Sequence, residues 1–256
     1  MTEANVRKTC RRVAILGATR GMGRALARSM VARGDSVFLL GRDIADLGHT
    51  ARDLEFRSPT TTPIGLAECD LERPETFAPG LDAADAALGG FDTVVVTAAL
   101  FAPQDELESD AELERRLLTV NFSNTVLFCE EARQRLLARG GGTLCVFSSV
   151  AGDRGRKPIV LYGAAKAGLT HYLEGLDHRF YAAGLRVVTV KPGFVRTSMT
   201  DGLPAPPFAG DPEPVARRVL AALDRGAPVV YAPAPWALVM AVIRRLPRFV
   251  MRRVSF

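Results

Sequence analysis

Short apolar runs alternate with amphipathic stretches along most of this chain, and no other feature of the sequence constrains its fold as strongly. The apolar runs predict strands, and the amphipathic stretches have the spacing of helices. Strands that alternate with helices pair in parallel through right-handed crossovers, and the helices cover both faces of the sheet. The predicted strands are residues 12–16, 36–40, 63–67, 92–97, 143–147, 186–190 and 228–231. The predicted helices are residues 24–33, 43–56, 75–88, 111–138, 160–182 and 213–225.

This alternation predicts a single doubly wound α/β domain around a central parallel sheet of about seven strands. No linker or internal repeat interrupts residues 1–231, and a basic amphipathic tail follows at residues 232–256. A chain of 256 residues, 48% hydrophobic and 24% charged, has enough apolar side chains for one such core. Ligands of such sheets bind where the strands end.

The cysteines and histidines share no ligand spacing, which argues against a metal site. Three of the four cysteines lie in apolar segments, so we expect buried free thiols in a reducing compartment. The first eleven residues lack the apolar core of a signal peptide, and no apolar run is long enough to span a bilayer. We therefore expect a cytoplasmic protein. The residues concerned are Cys10, Cys69, Cys129, Cys145, His49, His171 and His178.

A glycine turn, Gly17-x-x-x-Gly21-x-Gly23, follows the first predicted strand and precedes the first predicted helix. A turn in this place directs backbone N–H groups at the start of a helix, where a pyrophosphate binds. The spacing differs from the commoner Gly-x-Gly-x-x-Gly dinucleotide pattern. Its position on the first strand nevertheless predicts a Rossmann-type domain that binds a dinucleotide.

Ser149, Tyr162 and Lys166 are the candidate catalytic residues. Ser149 follows the fifth predicted strand, and Tyr162 and Lys166 lie one turn apart on the next helix, so all three reach the same edge of the sheet. A lysine cation beside a phenol favours the phenolate, and we expect it to lower the tyrosine pKa from about 10. Ser149 would then hold a carbonyl oxygen while Tyr162 exchanges a proton with it. The alternative is an amphipathic helix that carries a tyrosine and a lysine by chance.

Together these motifs resemble the short-chain dehydrogenase/reductase family over residues 12–231. The resemblance includes Asp70-Leu71 after the third strand and Pro192-Gly193 after the sixth. It implies that Tyr162 is the acid/base, that Ser149 polarises the substrate, that Lys166 also binds the nicotinamide ribose, and that Asn121 completes a tetrad. The implied cofactor-binding residues are Gly17, Thr19, Arg20, Gly21, Met22, Gly23, Arg42, Asp70, Leu71, Ala98, Tyr162, Lys166, Pro192, Gly193, Val195 and Thr197.

The chain departs from the family in two places. Thr97-Ala98-Ala99-Leu100 stands where most members have Asn-Asn-Ala-Gly, so the side-chain bonding around the central strand must differ. Lys191 stands where the family more often has Asn or Arg, and the sequence assigns it no role.

Arg42 follows the second strand, where NAD enzymes of this architecture tend to place an acid. Together with Arg20 of the glycine turn it could clamp a 2′-phosphate, so NADP(H) is favoured over NAD(H). The alternative is that Arg42 is a solvated surface cation and that NADH is used. Asp43 is predicted to cap the following helix.

The family resemblance implies that the substrate loops follow the fourth, fifth and sixth strands, which here means residues 100–110, 153–160 and 197–210. Arg154, Arg156 and Lys157 in the second loop either meet an anionic group of the substrate or form a solvated loop. The apolar, proline-rich residues 199–207 of the third loop suggest a lid or the wall of a lipophilic entrance.

The tail carries the net charge of the chain, because residues 236–256 hold five arginines and no acid, and the net charge is +5. The tail also predicts an apolar helical face made of Trp236, Val239, Met240 and Ile243. We expect this face to contact an anionic membrane, so that the protein lies peripherally on the inner face of the membrane. The alternatives are docking on the sheet or on another subunit of a homodimer or homotetramer. Nucleic acid is not an expected partner.

The tail also resembles the decaprenylphosphoryl-ketoribose reductase branch of the family, in Val230-Tyr-Ala-Pro and in Arg244-Arg-Leu-Pro-Arg248. This resemblance implies a bulky, lipid-linked keto substrate. The alternatives within the same chemistry are a 3-oxoacyl, steroid or simple ketone substrate. From other classes, the chain could be a non-catalytic nucleotide sensor or a module that assembles through its tail.

Overall fold

The computed structural model describes residues 10–60 and 62–254, so Phe256, the last residue of the predicted tail, lies outside the described part. Its centre is a seven-stranded parallel sheet with the strand order β3-β2-β1-β4-β5-β6-β7, which confirms the predicted fold class. The strands are β1 (Arg12–Leu16), β2 (Ser36–Gly41), β3 (Leu66–Glu68), β4 (Thr93–Val96), β5 (Gly142–Phe147), β6 (Leu185–Pro192) and β7 (Val229–Ala232).

Helices cover both faces of the sheet. They are α1 (Gly21–Ala32), α2 (Ile44–Arg57), α3 (Phe77–Leu88), α4 (Gln104–Ser109), α5 (Ala111–Leu118), α6 (Asn124–Ala138), α7 (Val160–Phe180), α8 (Pro212–Arg225), α9 (Trp236–Ile243) and α10 (Arg248–Met251). One apolar cluster joins the sheet to α1, α2 and α8, and a second joins it to α3, α6 and α7. The central strands β1, β4, β5 and β6 are buried on both faces, which explains why they are continuous apolar runs in the sequence.

Most elements differ from the sequence prediction by one to three residues at their ends, and the third strand and the fourth predicted helix differ for a local reason. β3 begins at Leu66 rather than Pro63, since proline has no N–H to donate and the N–H of Ile64 bonds to the Glu55 side chain instead. The predicted helix at residues 111–138 is divided into α5 and α6 by a π-helical turn, Thr119–Ser123. Such turns are frequent at functional sites, and this one contains Asn121.

The apolar face of the tail helix α9 packs on the domain itself. Trp236, Met240 and Ile243 are buried there, in a cluster with Val150. The side of the tail that remains exposed carries other apolar side chains, namely Leu238, Val242 and Phe249. Among the described residues, no helix is both long enough and apolar enough to cross a membrane.

Candidate active site

The glycine turn packs so closely against the end of β4 that positions 17 and 23 have no room for a side chain. Gly17 has a φ of +99°, and a Cβ there would lie 2.5 Å from the Ala98 nitrogen. A Cβ on Gly23 would lie 2.2 Å from the Gly17 carbonyl oxygen. Thr97, which replaces the usual asparagine of the family, donates its hydroxyl to that same oxygen at 2.8 Å. This is the altered side-chain bonding that the sequence left undefined.

The turn opens onto a cleft of about 350 Å³ at the carboxyl ends of β1, β2 and β4. A cradle that any Cβ would fill, followed by the start of α1, suits the close approach of a dinucleotide pyrophosphate. Among the predicted cofactor residues, those that line this cleft are Gly17, Thr19, Arg20, Arg42, Asp70, Leu71 and Ala98. Gly21 and Gly23 belong to the turn but do not line the cleft.

The two arginines of this cleft have different surroundings. Arg20 pairs with Asp46, with 3.1 Å between Nη2 and Oδ2. Arg42 is exposed at the edge of the cleft, and its charge contributes to lowering the pKa of Glu72, behind the larger effect of Arg116. Asp43 caps α2 by accepting the Asp46 N–H at 3.0 Å, as predicted. Arg42 is therefore the more available of the two cations for a ligand.

Ser149, Tyr162 and Lys166 meet at the end of β5, in a second cleft of about 250 Å³. Ser149 lies two residues beyond the end of β5 and accepts the Ala151 N–H at 3.1 Å, which fixes the position of its hydroxyl. Lys166 is almost completely buried, and its Nζ donates to the Phe147 carbonyl at 3.0 Å. The Tyr162 ring contacts Phe101 edge to face, with ring centroids 5.3 Å apart.

The direction of the tyrosine pKa shift was predicted wrongly. Burial raises the pKa of Tyr162 to about 12, against the lowering effect of Ser149. Burial also lowers the pKa of Lys166 to about 8. The Lys166 ammonium bonds to the Phe147 carbonyl and lies 5.8 Å from the centroid of the phenol ring, so desolvation outweighs its attraction for a phenolate.

Asn121 lies behind the cleft, completely buried in the π-helical turn. Its side-chain oxygen accepts the Leu100 N–H at 2.8 Å, and its amide donates to the Leu100 carbonyl at 2.6 Å. Asn121 thus fixes the chain that leaves β4 beside the catalytic residues, and it lines neither cleft.

The two clefts share Thr97, Ala99 and Met199 in their walls, so they form one continuous site. The remaining predicted cofactor residues line the second cleft, namely Met22, Tyr162, Lys166, Pro192, Gly193, Val195 and Thr197. Leu203 and Pro206 line it as well, so the apolar residues 199–207 contribute to the wall of the cleft.

Trp236 is a residue of this site that the sequence assigned to the membrane. It lines the second cleft, its Nε1 donates to the Phe208 carbonyl in the loop after β6 at 3.1 Å, and a Cβ on Gly193 would lie 2.2 Å from that nitrogen. The tail therefore completes the wall of the cleft. An isolated tryptophan with no arginine within seven residues could have signalled an inward-facing side chain.

The loop after β5 is tied down by a buried ionic group that sequence reasoning missed. Lys191 donates to Asp153 Oδ1 at 2.6 Å, and Tyr231 donates its hydroxyl to the other carboxylate oxygen at 2.7 Å. Burial, together with Asp153, raises the pKa of Tyr231 to about 12. This group joins the loop to the ends of β6 and β7, which gives Lys191 a structural role.

Comparison with known proteins agrees with this architecture. The sequence model of a family described as short chain dehydrogenase matches residues 11–206. An uncharacterised oxidoreductase of Mycobacterium tuberculosis is 32% identical over 244 residues, which are 94% of this chain and 96% of that protein. Carbonyl reductase family member 4 of Xenopus tropicalis is 28% identical over 222 residues, 82% of this chain and 90% of that protein.

A solved structure gives the same result for the fold. A short-chain type dehydrogenase/reductase from Mycobacterium ulcerans superposes with a TM-score of 0.78, covering 95% of this chain and 98% of that chain. The two sequences are 22% identical, so this likeness concerns the fold alone.

Proposed function

The chain belongs to the short-chain dehydrogenase family and is an NAD(P)-dependent oxidoreductase, and we propose that it reduces a bulky, lipophilic ketone with NADPH. One observation carries the proposal: Ser149, Tyr162 and Lys166 converge in an apolar-walled cleft that is continuous with the glycine-turn cleft. Phe101, Ile159 and Phe194 are among the apolar walls. Such walls favour a substrate with a sizeable apolar part.

Each of the three residues has its own role in carbonyl reduction. When bound, the nicotinamide supplies the hydride. The Ser149 hydroxyl holds the carbonyl oxygen, and Tyr162 gives its phenolic proton to that oxygen as negative charge develops on it. A pKa of about 12 keeps Tyr162 protonated at neutral pH, which suits a proton donor. The Lys166 ammonium lies in the same cleft and stabilises the phenolate that remains.

The preference for NADPH rests on Arg42. Its side chain is exposed at the cleft after β2, whereas Arg20 already has Asp46 as a partner. A free guanidinium can bind a 2′-phosphate through two hydrogen bonds. Acidic side chains also line this cleft. One of them, Glu72, is already paired with Arg116, with 2.8 Å between Oε1 and Nη2.

A lipid-linked keto substrate, as in the decaprenylphosphoryl-ketoribose reductase branch, extends the proposal. Exposed Leu238, Val242 and Phe249 lie next to the arginines of the tail, and Trp236 at the start of α9 donates to the Phe208 carbonyl in the loop after β6. We propose that this exposed side of the tail contacts an anionic membrane surface.

A homodimer or homotetramer is a separate proposal. Its support is the pair of exposed apolar side chains Phe122 and Leu127, next to and within α6. Sedimentation velocity tests it.

A simple ketone is the second candidate, because carbonyl reductase family member 4 is among the relatives. Rates of NADPH oxidation with acetone, 2-octanone and 2-dodecanone distinguish the two candidates. A kcat/KM that rises with chain length supports the lipophilic substrate. A kcat/KM that is highest for acetone contradicts it.

The Tyr162→Phe variant tests the catalytic assignment and excludes a nucleotide sensor. We expect kcat to fall at least about 100-fold, since general acid catalysis contributes factors of this size, while cofactor affinity stays unchanged. Tyr172→Phe is the matched control, because the Tyr172 hydroxyl bonds to Glu130 away from the site and its loss should leave kcat unchanged. An unchanged kcat in Tyr162→Phe would remove Tyr162 from the mechanism.

A further inference from the structure

The loop after β5 contains three cations, and the structure separates their roles. Arg154 donates to the Leu246 carbonyl at 2.8 Å, and Lys157 donates to the Arg252 carbonyl at 2.6 Å. Both side chains thus hold the tail. Arg156, between them, lines the catalytic cleft together with Ser149 and Tyr162.

Arg156 is a cation without a compensating anion in that cleft. Its Nε is buried, and no atom of the described residues accepts a hydrogen bond from it. Asp153 is the acid whose charge acts on it, but both carboxylate oxygens of Asp153 are already bonded to Lys191 and Tyr231. Burial accordingly lowers the pKa of Arg156. A buried group of this kind costs free energy unless something binds it.

The residues that line the cleft indicate the charge of the group that would bind Arg156. The described residues that line it include two cations, Lys166 and Arg156, and no acid. Lys166 already donates to the Phe147 carbonyl. Apolar side chains form most of the remaining wall, Pro158 and Trp236 among them. The cleft therefore combines apolar walls with one available guanidinium.

We propose that Arg156 binds an anionic group of the substrate, a phosphate or a carboxylate, inside the catalytic cleft. This inference rests on the proposed function, and it defines the substrate class as an anionic amphiphile that carries the reacting carbonyl. A planar guanidinium binds either oxyanion through paired hydrogen bonds. The reacting carbonyl and the anionic group share a cleft of about 250 Å³, so they belong to the same end of the substrate.

Calorimetric titration with simple probes tests the proposal. The probes are hexyl phosphate, hexanoate, inorganic phosphate and 1-hexanol, and saturating NADP⁺ is present so that the phosphate sites of the glycine-turn cleft are filled. We expect hexyl phosphate or hexanoate to bind the wild type, and 1-hexanol to bind weakly. Binding of hexyl phosphate alone identifies a phosphate site, and binding of hexanoate alone identifies a carboxylate site. If inorganic phosphate binds as tightly as hexyl phosphate, the hexyl chain contributes nothing to binding, which would contradict a role for the apolar walls.

Arg156→Gln should weaken binding of the anionic probe by about ten-fold or more, because it removes the paired hydrogen bonds of a charged guanidinium to the anion. Arg156→Lys keeps the charge but not the paired geometry and should give an intermediate Kd. Arg154→Gln is the matched control, with the same change of charge two residues away, and should leave Kd unchanged. Circular dichroism confirms that each variant is folded.

Two results would overturn the inference. One is equal affinity of the wild type for 1-hexanol and for both hexyl anions. The other is an equal loss of binding in Arg154→Gln and Arg156→Gln, which would assign binding to the net charge of the loop. Failure of the proposed function looks different: anion binding would still depend on Arg156, but the wild type would reduce no ketone.

Discussion

Lys191 and Asp153 form an ion pair beneath the catalytic cleft, with 2.6 Å between Nζ and Oδ1 and side chains only 9% and 2% exposed. The pair joins the end of β6 to the loop that carries Arg156. The Tyr231 hydroxyl completes the bonding of the carboxylate at 2.7 Å. The position of the loop relative to Ser149 therefore depends on charges that lie 38 residues apart in the chain.

Removing one partner of this pair should destabilise the protein strongly. Lys191→Met leaves the Asp153 carboxylate buried and uncompensated, and we expect the free energy of unfolding to fall by about 3 kcal/mol in urea titrations. The double variant Lys191→Met/Asp153→Asn should recover part of this loss, because no isolated charge remains. A double variant that loses as much as the sum of the single variants would show that the two residues act independently.

Lys166 should destabilise the folded protein in a pH-dependent manner. Its pKa falls from 10.5 to about 8 on folding, so between these values the unfolded chain binds more protons than the folded chain. The wild type is therefore penalised fully below pH 8 and gains stability as the pH rises towards 10.5.

Lys166→Met removes this titration and should be more stable than the wild type by about 1–3 kcal/mol at pH 7, although inactive. The difference should shrink between pH 8 and pH 10.5, and urea titrations across this range measure it. Tyr162 is present in both proteins, so its own titration cancels from the difference. A difference that is constant with pH would contradict a buried, titrating ammonium.

Arg42 should determine which nicotinamide cofactor binds more tightly. We expect Arg42→Ala to raise the Kd for NADPH by about ten-fold, the effect of losing one charge-assisted contact, and to leave the Kd for NADH unchanged. Fluorescence titration measures both constants. Arg52→Ala is the matched control, since Arg52 is exposed on α2 and bonds to His49. Equal or tighter binding of NADH by the wild type would reverse the proposed preference.

The exposed side of the tail should bind anionic vesicles. The triple variant Leu238→Gln/Val242→Gln/Phe249→Gln changes only exposed side chains, so it should stay folded and lose sedimentation with phosphatidylglycerol vesicles. Arg245→Gln/Arg248→Gln should weaken binding by about 1 kcal/mol per arginine. Phosphatidylcholine vesicles are the control. Equal sedimentation of the wild type and the triple variant would remove the membrane proposal.

Truncation at Pro235 is unsuitable for this purpose. It would expose the surface that Trp236, Met240 and Ile243 cover, and deleting buried side chains of this size costs about 2–5 kcal/mol each. Loss of vesicle binding in such a truncated chain would follow from unfolding as easily as from loss of a membrane contact.

The local pattern of the sequence was sufficient to predict most of the fold. Strand and helix identities follow from periodicity, and parallel pairing follows from the alternation of strands with helices, so Gly17 and Ser149 had to reach one edge. The break at Thr119–Ser123 was not predictable in the same way. It contains Asn121, whose bonds to Leu100 join two segments in a way that periodicity does not register.

The residues that meet at the carboxyl edge of the sheet can be read from the amino-acid pattern, because strand alternation and backbone geometry are local properties. The roles of several side chains at that edge follow only from the folded arrangement. Arg154 donates to a carbonyl 92 residues away, whereas Arg156 lines the cleft. Burial raises the pKa of Tyr162. Desolvation and ionic partners depend on segments that only folding brings together, so composition and spacing cannot determine their sign.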